Sequence, residues 1–241
     1  MSEPFARFDA FDGRGRSWEL RSPLAVVEAW RREEVPEALA RVEEAVAGGA
    51  VAGGYVAYEA AEALDATLVC RAPRKDLPLL WFGLFRERHE TTPPPAPRTP
   101  AAAALHPWSA TLSTEEYTRR VNRIHEWIAS GDTYQVNLTF PLRSPLSPDV
   151  TDTELYASLG RSQRAGFCAL LRLPTHSILS ISPELFFHRV GDDLELRPMK
   201  GTRPRGRWLQ EDRHRARELV LSEKERAENL MIVDLLRNDA G

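Results

Sequence analysis

Residues 91–104 read TTPPPAPRTPAAAA, and this run constrains the fold more than any other part of the chain. Five prolines fall within ten residues. Each removes a backbone N–H and fixes φ, so the run joins neither a helix nor the interior of a sheet. It divides the chain into an N-terminal α+β region at 1–90, a Pro/Ala-rich linker at 91–107, and a second region at 108–241.

Both flanks carry regular patterns. VPEALARVEEAVAGGA predicts a helix with Pro36 in its first turn and Gly48 and Gly49 at its end. YVAYEA and LLWFGLF read as strands, the second apolar on both faces and therefore buried. After the linker, Ser113 and Glu116 make a capping box. The helix that follows puts Tyr117, Val121, Ile124 and Ile128 on one stripe, and Gly131 stops it. YQVNLTF alternates as a strand, with Gln135, Asn137 and Thr139 on its polar face. GFCALLRL, SILSIS, LFFHRV and LELRPM read as further strands, the last two joined by a short Gly191-Asp192-Asp193 turn. A second capping box, Ser222 to Glu225, opens a final helix. Strands come in runs instead of alternating with helices, which predicts an α+β fold of mainly antiparallel sheets.

Bulk composition narrows the function. At 241 residues and 42% hydrophobic the chain can build a substantial core. A net charge of −3 and a pI near 6.1 argue against a nucleic-acid binder. Eight Lys/Arg against two acids between Arg197 and Arg217 raise RNA again, but the interleaved aromatics that stack bases are missing apart from Trp208. Cys70 and Cys168 fit no zinc or redox spacing and read as reduced thiols. With no apolar leader and no apolar run of about 20 residues, the expected location is cytoplasmic, without membrane contact.

Three features carry chemistry. Glu225 and Glu228 are three apart on a helix, a pair suited to Mg²⁺ or equally to a solvated acidic first turn. Glu184, between two apolar runs, is either partly desolvated and suited to general acid work, or a strand-end glutamate in water. Lys200, in RPMKGTRPRG, follows a hairpin strand whose partner begins just after Glu184, so pairing brings both residues to one end of the ribbon. A lysine held dry there is an amine nucleophile; in water it is a loop charge. Gly201 lets backbone approach a ligand closely, and Thr202 offers a hydroxyl.

GDTYQVNLTFPL, SISPELFF, RPMKGTRPRG and SEKERAENLMIVDLLRNDAG, in this order, resemble the chorismate-utilising enzymes. GGYVAYEAAEALD with LPLLWFGLF is similar to the leading region of the same enzymes, so the resemblance covers most of the chain. Lysine at 200 resembles the aminodeoxychorismate synthase branch; the anthranilate synthase branch usually carries alanine there. The resemblance implies stacked sheets flanked by helices and a reaction of chorismate with ammonia from a glutamine amidotransferase subunit, giving 4-amino-4-deoxychorismate for 4-aminobenzoate and folate synthesis. It implies that Lys200 is a covalent nucleophile and Glu184 its proton donor and acceptor. Gly201 and Thr202 are implied to line the substrate pocket, and Glu228, with Glu225 close by, to hold Mg²⁺ against the substrate carboxylate. Relatives that add water carry lysine where Gln135 stands, and a neutral amide cannot be that base, so Gln135 implies ammonia as acceptor. Family members continue well past the RND motif near residue 239 and supply another metal-binding glutamate, so the resemblance implies a C-terminally truncated chain with an incomplete fold. The Leu-Leu-Glu-Ser pattern that holds tryptophan in many relatives has no counterpart. The alternatives are an anthranilate synthase component, or an inactive truncated domain that binds an amidotransferase.

Overall fold

The computed structural model describes residues 5–97 and 107–240. Residues 98–106, the later part of the expected linker, lie outside the described residues. Two compact units emerge, one of Met1–Pro93 with Gly160–Gly241 and one of Pro94–Leu159.

In chain order the N-terminal part runs β1 (Phe5–Asp9), β2 (Ser17–Leu20), β3 (Ala25–Ala29), α1 (Val35–Ala47), β4 (Val51–Val56), α2 (Ala61–Leu64), β5 (Leu80–Phe85) and β6 (His89–Thr91). The middle holds β7 (Ser109–Ala110), α3 (Thr114–Ser130), β8 (Leu142–Arg143) and α4 (Asp152–Gln163). Then follow β9 (Phe167–Arg172), β10 (Ser177–Ser182), β11 (Leu185–Val190), β12 (Asp193–Arg197), α5 (Leu209–Leu221) and α6 (Glu223–Ala240).

In the first unit a five-stranded sheet has the order β10-β9-β1-β2-β6, and a three-stranded sheet the order β3-β5-β4. Every strand pairing among the described residues is antiparallel, as the runs of strands predict. Strand β1 pairs with β9 through Ala6 opposite Leu171 and Phe8 opposite Ala169, so one sheet is built from both sides of the proline-rich run. The sheets stack through Ala6, Leu20, Trp81, Phe85 and Leu171, all buried. Each such large apolar side chain contributes about 1.5–3 kcal/mol. The other face of the three-stranded sheet is covered by α1, whose Val35, Ala38 and Val42 recur at helical spacing and are buried.

One charged group is built into the sheet. Arg7 and Asp9, two apart on β1 and so on one face, are both buried, and the Arg7 guanidinium grips the Asp9 carboxylate at 2.7 and 3.1 Å. Arg7 also bonds Glu19 at 3.2 Å and the Thr92 carbonyl, which satisfies a cation that burial would otherwise destabilise.

In the second unit Ser113 caps α3 by accepting from the Glu116 N–H at 3.2 Å, and Gly131 ends it in the left-handed conformation, φ 83°. Two expectations need correction. Residues 134–140 form no strand, and Tyr134 and Val136 are exposed, because alternation becomes a ladder only when a partner strand lies alongside. The strand expected at YVAYEA lies earlier, at Val51–Val56, and Tyr58–Ala60 turns as a short 3₁₀ helix. No helix among the described residues is long and apolar enough to cross a membrane.

Candidate active site

The site begins with a hairpin. Strands β11 and β12 pair with Val190 opposite Asp193 and Leu185 opposite Arg197. Glu184 therefore stands just before one strand, and Met199 and Lys200 just after the other, at one end of the ribbon. Closure there is direct, since Glu184 Oε1 accepts the Met199 N–H at 2.9 Å. Ser182 fixes the approach: its hydroxyl donates to the Glu184 carbonyl at 3.0 Å and accepts the Glu184 N–H at 3.2 Å. Glu184 is exposed, so the desolvation considered from sequence is not present. Its ribbon has only two strands, and the flanking Phe186 and Phe187 are themselves exposed.

Lys200 is half-buried, and its ammonium has no carboxylate partner among the described residues. Gly201 follows with φ 74°, a left-handed conformation that L side chains resist. A Cβ at Gly201 would lie 2.6 Å from Glu225 Oε2, so glycine alone lets this loop lie against that carboxylate. Arg203 completes the contact, its Nη1 donating to the Thr202 carbonyl at 3.0 Å and to Glu225 Oε1 at 3.1 Å. Thr202 is otherwise exposed.

Glu225 and Glu228 share a face of α6, whose start is capped by Ser222 accepting the Glu225 N–H at 3.4 Å. Glu225 is largely covered, with 14% of its side chain exposed, and Glu228 lies 3.8 Å from Lys224 Nζ. No group of three or more metal-ligating side chains occurs among the described residues. Two carboxylates one turn apart, Glu225 paired with Arg203 and Glu228 beside Lys224, are the donor set in view. That set fits Mg²⁺, which takes few carboxylates and completes its octahedron with water or substrate oxygens.

Five of the seven residues singled out from sequence thus fall in one neighbourhood: Glu184, Lys200, Gly201, Thr202 and Glu225. Glu228 lies one turn along α6 from Glu225. Gln135 belongs to the other unit and is exposed, with its carbonyl accepting from Thr133 Oγ1 at 3.1 Å.

Sequence reasoning missed α5 and what it does to the arginine-rich run. Arg205 makes a two-pronged pair with Asp212, at 2.7 Å on each oxygen, and the Gly206 N–H donates to Asp212 Oδ1 at 2.8 Å. Arg205 first, then the Gly206 N–H, holds the Asp212 carboxyl down at about 2. Glu211 accepts the Arg207 N–H at 2.7 Å, which, helped by Arg215, lowers its carboxyl below the usual range. Five of the eight basic residues that suggested RNA, Arg197, Arg203, Arg205, Arg207 and Arg215, are paired with carboxylates within the molecule. The one available signal was Glu211-Asp212, an acidic pair suited to a helix N-terminus.

The family model for chorismate binding enzymes matches residues 2–241, and the chain belongs to that family. It is 42% identical over 134 residues to aminodeoxychorismate synthase component 1 of Salmonella typhimurium, a stretch covering 56% of this chain and 29% of the relative. Identity and coverage are the same with the protein of that name from Escherichia coli. An anthranilate synthase component 1 of Haloarcula marismortui is 42% identical over 127 residues, 53% of this chain and 26% of the relative. The chain therefore matches less than a third of the length of these relatives. Among solved structures, a putative 2,3-dihydroxybenzoate-specific isochorismate synthase from Bacillus anthracis shares the fold with a TM-score of 0.70 at 20% identity, covering 96% of this chain and 58% of that one.

Proposed function

We propose that the protein is the chorismate-binding component of an aminodeoxychorismate synthase, which takes ammonia from a glutamine amidotransferase partner and works in the cytoplasm. The observation that carries this reading is Lys200: a half-buried ammonium without a carboxylate partner, on a loop tied to Glu184 at one end and Glu225 beyond. A dianionic substrate is attracted to such a group.

In the proposed mechanism Lys200 first gives its ammonium proton to Glu184, and the free amine attacks C2 of the chorismate ring. The C2–N bond forms, the ring double bonds shift, and the C4–O bond breaks; Glu184 gives the departing hydroxyl its proton, so water leaves. Ammonia then adds at C4, the double bonds shift back, and the C2–N bond to Lys200 breaks. Glu184 takes up the proton that ammonia sheds. Gly201 and Thr202 border the ring, and Gln135, a neutral amide, leaves water unactivated. Glu225 and Glu228 would hold Mg²⁺, which when bound supplies positive charge to a substrate carboxylate.

A second reading, an anthranilate synthase component, is favoured by the Haloarcula marismortui relative. Product analysis with chorismate, Mg²⁺ and ammonium separates the two: 4-amino-4-deoxychorismate supports the first, anthranilate the second. Without ammonia, a ring adduct should accumulate on the peptide holding Lys200, detectable by mass spectrometry. Lys200→Ala should abolish it, and Lys200→Arg should not restore it, because a guanidinium stays protonated. An adduct elsewhere, or none during normal turnover, would reduce Lys200 to an electrostatic role.

A further inference from the structure

Residues 198–206 belong to no helix or strand, yet the backbone around Lys200 is tied at many points. We infer that Asp212 and Arg215, on α5, are positioning residues that hold the Lys200 loop in its reactive shape before substrate arrives. The inference rests on the role proposed above for Lys200, and no part of the resemblance to known families assigns these residues a function.

The geometry is that of a strap. A loop without ladder partners must satisfy its backbone groups with side chains or water. Here the side chains come from the first two turns of α5. Arg215 Nη1 donates to two successive carbonyls, Pro204 at 3.1 Å and Arg205 at 2.9 Å, while Nη2 binds Glu211 Oε1 at 2.6 Å. Asp212 accepts the next amide, Gly206 N–H, and Glu211 the one after, Arg207 N–H. Backbone groups of four consecutive residues are thus bound by three charged side chains one turn or less apart. Asp212 and Glu211 are mostly covered, with 25% and 17% of their side chains exposed, so water competes weakly for these bonds. Gly206 is required, since a Cβ there would meet the Asp212 backbone nitrogen at 2.2 Å.

The strap is an odd investment for an exposed turn. Arg205 itself points outward, with 88% of its side chain exposed, so the strap encloses no core. Its effect falls on what precedes it: Arg203 on Glu225, Gly201 against the same carboxylate, and Lys200. With Met199 held by Glu184, the loop is pinned at both ends and Lys200 has little backbone freedom to lose. That is preorganisation, and a small misplacement of a reacting group costs roughly ten- to hundred-fold in rate.

The test compares Asp212→Ala, Asp212→Asn, Arg215→Ala and Arg215→Lys with the unsubstituted protein, using Arg213→Ala on the same helix as control. Two quantities are read: hydrogen exchange at the Gly206 and Arg207 amides, and the rate and amplitude of the Lys200 adduct with chorismate and Mg²⁺. Both alanine variants should raise exchange and slow adduct formation roughly ten- to hundred-fold while the final amplitude stays full. A merely destabilised protein would lose amplitude instead. Asp212→Asn, which keeps an acceptor for Gly206, should fall between; Arg213→Ala should match the unsubstituted protein. Should either alanine variant fail to fold, the asparagine and lysine variants decide by the same readings. Raised exchange with an unchanged adduct rate, or unchanged exchange, overturns the inference. If the unsubstituted protein forms no adduct but still turns over, the covalent reading alone falls, and turnover rates replace adduct rates. If it makes no product, the proposed function and this inference fall together.

Discussion

Glu184 reaches across the end of its hairpin to accept the Met199 N–H at 2.9 Å, so the proposed proton donor also anchors the residue before the proposed nucleophile. Two roles in one side chain can be separated. Glu184→Gln keeps an acceptor oxygen but cannot transfer a proton; Glu184→Ala removes both. Exchange at the Met199 amide should rise in the alanine variant only, while turnover falls in both, by roughly a hundred- to ten-thousand-fold. A glutamine variant with normal turnover would remove Glu184 from the chemistry.

Gly201→Ala should be costly for two independent reasons. It forces a side chain into φ 74° and drives a Cβ to 2.6 Å from Glu225 Oε2. The left-handed conformation alone costs about 1–2 kcal/mol. Denaturant titration should show at least that loss, and calorimetric titration with Mg²⁺ should show weaker binding because Glu225 has been displaced. Unchanged cation affinity would separate Glu225 from the metal.

Acid should release the Asp212 strap late. The Asp212 carboxyl is held down at about 2 by Arg205 and the Gly206 N–H. A depressed carboxylate contributes stability that is present above its unfolded value, near 4, and is lost as pH falls through the folded value. After correction for intrinsic exchange, Gly206 protection should hold from about pH 8 down to about pH 4 and fall toward pH 2. Asp212→Asn should flatten that profile.

The two thiols should differ in reactivity. Burial pushes the Cys168 thiol up to about 11, and Asp9 and Asp12 add to the effect. Thiolate is the reactive form, so iodoacetamide at about pH 8 should label Cys70 first and Cys168 only on unfolding. Equal labelling rates in the folded protein would show that β9 opens readily.

Local patterns were legible in the sequence where the partner lay close by. Ser113 caps α3 through a residue three positions on, and the turn at Gly191 brings Glu184 and Met199 together within fifteen residues. The mainly antiparallel α+β architecture followed from strands in runs, whereas the stacking of the sheets came only from the family resemblance. Partners far along the chain were not legible. Nothing in FARFD announces that it will sit between β2 and β9, because its alternation fits any sheet. Residues 134–140 show the reverse error, a strand pattern without a ladder. The Asp212 and Arg215 bonds were invisible because charge spacing on a helix does not say which loop lies over it.

The pairing of Phe5–Asp9 with Phe167–Arg172 sets an order of events during synthesis. On the ribosome β1 can meet β2 as soon as both emerge, but its other edge must wait until residues near 172 have been made. At about 5–20 residues per second that wait lasts on the order of ten seconds or more. Throughout it, β1 presents an open row of N–H and C=O groups, a template for mispairing. The charged Arg7 at its centre and Asp9 at its end make a poor surface for a chance apolar strand.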